Sequence, residues 1–142
     1  MILVDANILL YAYFPRYVQH VRARAWLDKQ LNGPTQVGLP WASTQAFVRV
    51  GSNPRTFPNS PTAAALWGQV LAWISCANAW VPLETARHSE VMGSLLQSPS
   101  MVGNLVTDAH LAALAIEHGL TVCSVDADFA RFANVRWFNP LA

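Results

Sequence analysis

Asp126 and Asp128 stand two residues apart in the stretch SVDADFARF, residues 124–132, which follows the apolar run LTVCSV. Asp5 closes the apolar opening MILVD, and Asp108 follows NLVT, so four of the chain's five aspartates lie beside apolar segments. Taken singly, three of them have simple structural readings. Asp108 can cap a helix and complement its dipole, and Asp126 and Asp128 can brace a turn by bonding their own backbone. Asp5 resists such a reading, because a carboxylate that ends an apolar strand is costly unless something pairs with it. Gathered at one place, the acids demand a counter-ion. Two carboxylates about 4 Å apart repel by roughly 4 kcal/mol at an effective dielectric near 20, so one takes a proton or a cation sits between them. The chain has no His/Cys set at zinc spacing, and hard oxygen donors alone select Mg²⁺, with Mn²⁺ as a substitute. A carboxylate-bound Mg²⁺ suits phosphate chemistry, since it activates water and neutralises charge on a phosphodiester.

The elements around these acids must bring them together. ILV reads as a buried strand ending at Asp5, and ANILLYAYF as a turn into a helix. From Val18 to Leu31 a second helix is expected, with Val21, Ala25, Trp26 and Leu31 on its apolar side. NGP at 32–34 breaks it. TQVGL is a second strand, WASTQAFVRV a helix, and GSNPRTFPNSP a Pro-rich loop. Residues 62–77 form a helix apolar nearly all round, AWVPL a third strand, and residues 86–97 another helix. DAHLAALAIEH is a helix that Asp108 starts and Gly119 closes as a left-handed cap. TVCSV and VRWF are the last two strands. Strands alternate with helices, which predicts a single α/β domain with a mostly parallel sheet. Ligands in such sheets bind beyond the carboxyl ends of the strands, where strand order reverses. If strands one and four are neighbours, Asp5, Asp108 and Asp126 meet at that edge.

Composition sets the frame. The chain has 142 residues, 53% hydrophobic and 12% charged, with a net charge of +1. That size supports one buried core, and that balance excludes both a disordered chain and a globally basic nucleic-acid binder. Cys76 and Cys123 are far apart and are expected as free thiols in a reducing cytoplasm. The opening residues lack a basic stretch before a long apolar segment, so no leader is expected. The longest apolar run, AAALWGQVLAWI, is too short to span a bilayer. The same run, lacking a clear polar face, is expected to be covered by a second copy of the chain in a homodimer, or by another protein.

Three stretches, ILVDANILLYAY, LVTDAHLAALAIEHG and VCSVDADFARF, resemble the PIN-domain ribonucleases, specifically the VapC toxins of bacterial toxin–antitoxin pairs. FVRVGSNPR and the terminal NPL further resemble a branch common in mycobacteria. The likeness runs along essentially the whole chain. It implies a three-layer α/β/α domain over residues 1–142, with its sheet ordered 3-2-1-4-5. It also implies metal-dependent cleavage of a structured RNA, transfer or ribosomal, and control by a VapB-type antitoxin. Asp5, Asp108 and Asp126 fall on the family's acidic positions, with Asp128 as a candidate fourth, and Asn7 and Thr107 on polar positions beside the metal. One departure stands out. The family usually carries a glutamate in the helix after the second strand, three residues before an Arg. Counting back from Arg49 gives Ala46, with Gln45 beside it, and no acid at all occurs between Asp28 and Glu84. Gln45 and Arg49 are therefore candidate supporting residues, Arg49 by orienting a carboxylate or by contacting RNA phosphate, as Arg16 and Arg55 also could.

Two other readings compete. One is a PIN module that, lacking that glutamate, binds RNA or an antitoxin without efficient cleavage. A phospho-receiver domain of the same sheet order needs a lysine after its last strand, and the only lysine is Lys29. The four histidines invite a general-base role, His110 above all, but are expected to be structural or exposed. Glu90 is expected in solvent, and the six tryptophans mostly in the core.

Overall fold

The computed structural model describes residues 1–142 as five strands and six helices. Strands β1 (Ile2–Val4), β2 (Val37–Gly38), β3 (Ala79–Trp80), β4 (Thr121–Cys123) and β5 (Arg136–Phe138) form one sheet in the order β3-β2-β1-β4-β5. Every pairing is parallel, as expected for a sheet whose strands are joined through helices. The helices are α1 (Ala6–Tyr13), α2 (His20–Leu31), α3 (Trp41–Gly51), α4 (Ala63–Ile74), α5 (His88–Leu95) and α6 (Asn104–His118).

Successive strand residues point to opposite faces, and β1 divides the core accordingly. Val4 joins a 17-residue buried cluster with residues of α1 to α4, among them Leu9, Leu27, Phe47 and Val70. Leu3 joins a 10-residue cluster on the other face, built largely from α6 and β4. The sheet is thus sandwiched between α1–α4 and α5–α6. The alanines of α6 make the second layer thin: Ala109, Ala112, Ala113 and Ala115 are all buried, so this helix can lie close to the sheet.

Two sequence expectations need correction. The buried face of α2 is Ala23, Leu27 and Leu31, spaced four apart as one helical stripe requires. Val21 is 76% exposed and Ala25 is exposed too, because the helix enters only at His20 and turns its Ala23 face to α1. Helix α6 begins at Asn104, four residues before Asp108, after Gly103 at φ 58°. Asp108 is therefore inside the helix and caps nothing. The tryptophans lie mostly in or against the core, as expected: Trp73 is buried, Trp26, Trp67, Trp80 and Trp137 are half-buried and packed on the two clusters, and Trp41 is exposed. Trp67, on a different side of α4, stacks on the exposed Trp41 at 5.7 Å between ring centroids. Cys76 and Cys123 are both free, the first half-buried and the second buried. No helix is long and apolar enough to cross a membrane.

The close fit of α6 gives a test. Ala112→Leu should overpack the sheet side of the helix that carries Asp108 and cost about 1–3 kcal/mol. Thermal melting followed by circular dichroism should show a fall of about 5 °C for a chain of this size, and an unchanged midpoint would contradict the packing.

Candidate active site

Strand register places the first of the acids. β1 and β4 pair Val4 with Cys123, and the Asp5 amide continues the ladder by donating to the Cys123 carbonyl at 3.0 Å. One step on, Asp5 meets Ser124. The fully buried Ser124 hydroxyl donates to Asp5 Oδ2 at 2.7 Å and accepts from Asn7 Nδ2 at 3.0 Å and from the Asp126 amide at 3.0 Å. Asn7 Nδ2 also donates to Asp5 Oδ2 at 3.2 Å, and the Ala6 amide donates to Asp5 Oδ1 at 2.7 Å, capping α1. The Trp137 indole holds the Ser124 carbonyl at 2.9 Å from the neighbouring strand.

Beyond Ser124 the chain turns into a short 3-10 helix, Ala127–Arg131. Asp126 caps it, accepting from the Asp128 amide at 2.9 Å. This turn and α6 bring one carboxylate oxygen each from Asp108, Asp126 and Asp128 within 4.8 Å of one another. Asp5 lies outside that tight set, yet near enough for its charge to act on Asp108. Asp108 makes no side-chain hydrogen bond to the protein. Burial first, then the charges of Asp126, Asp5 and Asp128, push its carboxyl up from 3.8 to about 6. Burial also raises Asp5, while the Ser124 and Ala6 hydrogen bonds hold it back and the Asp126 charge adds to the rise. On the outer side, Arg131 Nε donates to Asp128 Oδ1 at 3.1 Å, both side chains being about half exposed.

The donor set suits a hard divalent cation. It consists only of carboxylate oxygens, one of them on a side chain without a protein partner, and includes no thiol or imidazole.

Of the other sequence candidates, Thr107, Gln45 and Arg49 make no hydrogen bond to these acids. Thr107 is exposed and makes no side-chain hydrogen bond. On α3, Gln45 and Arg49 are exposed and Ala46 is half-buried. Arg49 pairs with no acid, since the chain's only Arg–carboxylate pairs are Arg24–Asp28 and Arg131–Asp128. Glu90 is exposed, as expected. Each histidine is committed elsewhere. His20 Nδ1 bonds the Tyr11 carbonyl at 2.8 Å, His118 Nε2 the Leu83 carbonyl at 2.7 Å, and His88 Nδ1 the Glu117 carboxylate at 2.7 Å. His110 lies 3.5 Å from Glu84, its ring against His88, and its pKa is lowered, first by burial and then by His88. Sequence reasoning missed Ser124, the group that ties Asp5 to Asp126. The available signal was a small hydroxyl residue between a buried strand and the first aspartate of the turn.

These features coincide with what comparison finds. The PIN domain family matches residues 2–135. The chain belongs to the PIN domain family, among its VapC members. Ribonuclease VapC37 of Mycobacterium tuberculosis is 40% identical over 142 residues, covering 100% of this chain and 99% of that protein. Two solved structures share the fold at lower identity. VapBC2 from Rickettsia felis, bound to a promoter DNA fragment, has a TM-score of 0.71 at 17% identity and covers 98% of both chains. M. tuberculosis VapC20, described as a toxin that cleaves the sarcin–ricin loop, has a TM-score of 0.67 at 18% identity, with 96% of this chain and 99% of that one covered.

The shift on Asp108 predicts a pH dependence. A carboxyl raised in the folded state holds its proton there after the unfolded chain has lost it, so stability falls as pH rises from about 3.8 to about 6 and is level above that window. Glu117 works in the opposite sense. Burial raises it, but hydrogen bonds from Thr85 and His88 outweigh that and leave it lowered; its contribution is present above its unfolded value and lost as pH falls through the folded one. Comparing wild type with Asp108→Asn isolates the first effect. Without divalent ions the variant should be more stable at pH 7 by about 1 kcal/mol after allowance for solvent screening, with the difference vanishing near pH 4. Denaturant melts at both pH values check this.

Proposed function

We propose that the chain is the toxin of a type II toxin–antitoxin pair, a divalent-metal-dependent endoribonuclease that cleaves a structured RNA, transfer or ribosomal. The observation that carries this reading is the group of Asp108, Asp126 and Asp128 at the carboxyl edge of a PIN-domain sheet. Relatives named as VapC ribonucleases along the full chain support the activity. The description of the VapC20 neighbour as cleaving the sarcin–ricin loop is consistent with a folded RNA target. Neighbouring VapBC structures support a VapB-type antitoxin as partner.

In this reading Asp108, Asp126 and Asp128, with Asp5 behind them, hold Mg²⁺ or Mn²⁺. When bound, the cation supplies an activated water and neutralises charge on the phosphodiester. The chain's own part is to keep that centre rigid. Ser124 and Asn7 fix the Asp5 carboxylate, the 3-10 turn fixes Asp126 against the Asp128 amide, and Asp108 supplies oxygens that no protein donor occupies. No imidazole stands by as a base. Exposed apolar side chains on and beside α4, Leu71 at 51% and Trp41 at 38%, support a surface covered by a second copy of the chain, and we propose a homodimer.

The missing acid on α3 favours a second reading, a PIN module that binds RNA or its antitoxin with little cleavage. Two experiments separate them. Asp108→Asn and Asp126→Asn should each cut Mg²⁺-dependent RNA cleavage by about a hundredfold or more, since even outer partners of metal ligands are worth 10–100-fold. Asp28→Asn, at an exposed acid of α2 that pairs with Arg24 and lies outside the acidic group, should be silent. If wild type binds RNA but leaves it intact at any Mg²⁺ or Mn²⁺ concentration, the second reading holds. Metal affinity itself should be weak without RNA, because Mg²⁺ sheds water reluctantly and relies partly on substrate phosphates. Calorimetric titration of Mn²⁺ should show tighter binding in Ala46→Glu than in wild type. Equal affinities would mean that α3 does not face the metal.

A further inference from the structure

Immediately outside the acidic centre lies a 310 Å³ cleft between the end of α5, the loop before α6 and the segment that follows the 3-10 helix. The end nearest the acids is marked by Arg131, whose Nε is held by Asp128. That contact uses one of the five donors of the guanidinium, leaving its other nitrogens available along the cleft. The lining is mixed. Ser94, Ser98, Ser100 and Asn134 offer both donors and acceptors, while Met101 and Phe132 supply apolar wall. No acid lines it. Ser98 and Ser100 bond only each other, at 2.8 Å, and the backbone of their own loop, and the Asn134 amide bonds nothing in the chain. Asn134 also lines an adjoining 270 Å³ cleft that ends at Arg136 and again holds no acid. Arg136, whose Nη2 donates to the Gly119 carbonyl at 2.7 Å, stands at the amino edge of the sheet. Glu90 lines a third opening that shares Ser94 and Asn134. Arg131 is thus the one arginine at the end near the acids, with Ser94 and Asn134 unengaged beside it.

We propose that this cleft receives one unstacked nucleotide of a single-stranded RNA segment beside the cleaved bond, and that Asn134, Ser98 and Ser100 read its base. The inference rests on the ribonuclease reading above and adds the subsite that makes cleavage sequence-selective. A pure phosphate site needs donors alone. This lining pairs donors with acceptors, as the edge of a base requires, and sequence-specific RNA recognition targets bases splayed out of their stack. The volume is at the small end for ligand pockets, about 300–1,000 Å³, which fits one nucleotide and excludes a duplex. Arg131 then lies where a flanking phosphate passes, and the Asp128 contact keeps Arg131 in place while drawing off part of the acids' charge.

The test has a binding arm and a cleavage arm. In EDTA, fluorescence anisotropy with labelled oligo(A), oligo(C), oligo(G) and oligo(U) should show wild type preferring one homopolymer over the weakest by about tenfold, the scale of a single-base contact. Asn134→Ala and the cleft-filling Ala133→Trp, each checked by melting for an intact fold, should reduce that ratio to about two. With Mn²⁺ and a pool of randomised single-stranded RNA, sequencing of the cleaved ends should show one preferred base next to the cut. Asn134→Ala and Ser98→Ala should flatten that preference. Equal binding of all four homopolymers by wild type, or a preference unchanged in the variants, overturns the proposal. If wild type cleaves nothing, the ribonuclease reading fails, but the binding arm still decides whether the cleft selects a base.

Discussion

Mutual repulsion among four aspartates at one sheet edge is the constraint around which the site is built. A fold that gathers them must hold each against its neighbours, and the parallel pairing of β1 with β4 does this with few groups. The register sets Asp5 beside Ser124, and one buried hydroxyl then bonds Asp5, Asn7 and the Asp126 backbone at once. Asp5 thus has its charge answered in part by hydrogen bonds, though burial still leaves its carboxyl raised. Asp108 has no such answer, and burial, followed by the charges of the others, displaces it to about 6. Strain of this kind, left on one group in an otherwise satisfied network, is where a cation gains most.

The rest of the fold follows from placing those groups. Asp108 must reach the edge from a helix on the opposite face to α1, so α6 has to lie close against the sheet, and its alanines allow that. The same helix carries Glu117 at its far end, a fully buried carboxylate held by Thr85 and His88. Two acids on one helix, roughly 14 Å apart at 1.5 Å per residue, therefore have opposite fates. Glu117 is saturated with donors and lowered in pKa, and it clamps the segment before α5. Asp108 is starved of donors and raised. The contrast separates a structural acid from a candidate ligand without recourse to motif.

Much of this was legible in the sequence, and the parts that were not share a cause. The parallel α/β class could be read because apolar runs alternate with helical ones, whereas the strand order came only with the resemblance to the PIN family; given that order, β1 lies beside β4 and the segments of Asp5 and Asp126 adjoin. The buried face of α2 could not, since Val21, Ala25 and Trp26 are as apolar as Ala23 and Leu27, and only the entry angle at His20 chooses between them. The start of α6 was hidden because Asp108 is a good capping residue, whereas the chain begins the helix after Gly103, whose positive φ no spacing rule reveals. Ser124 escaped because a serine beside a strand is unremarkable until register places an aspartate against it. Asp128 was uncertain in sequence. The 3-10 turn, which puts its amide on Asp126 and its carboxylate beside Asp108, places it in the group.

Electrostatics also links the two ligands the site is proposed to take. RNA is a polyanion, and an edge carrying four carboxylates repels it unless that charge is answered. Arg131 answers part of it from the outside, at Asp128, and a cation would answer the rest. Each ligand therefore improves the site for the other, and the coupling must be equal in both directions. Protons enter the same balance. Below about pH 6 Asp108 carries one, and a cation must displace it to bind, so metal affinity should rise with pH across that range. A chain that lacks an acid on α3 depends more heavily on this coupling than one that has it. On the proposed function, such a site would stay weakly occupied until RNA arrives, and the phosphates of the RNA would then complete it.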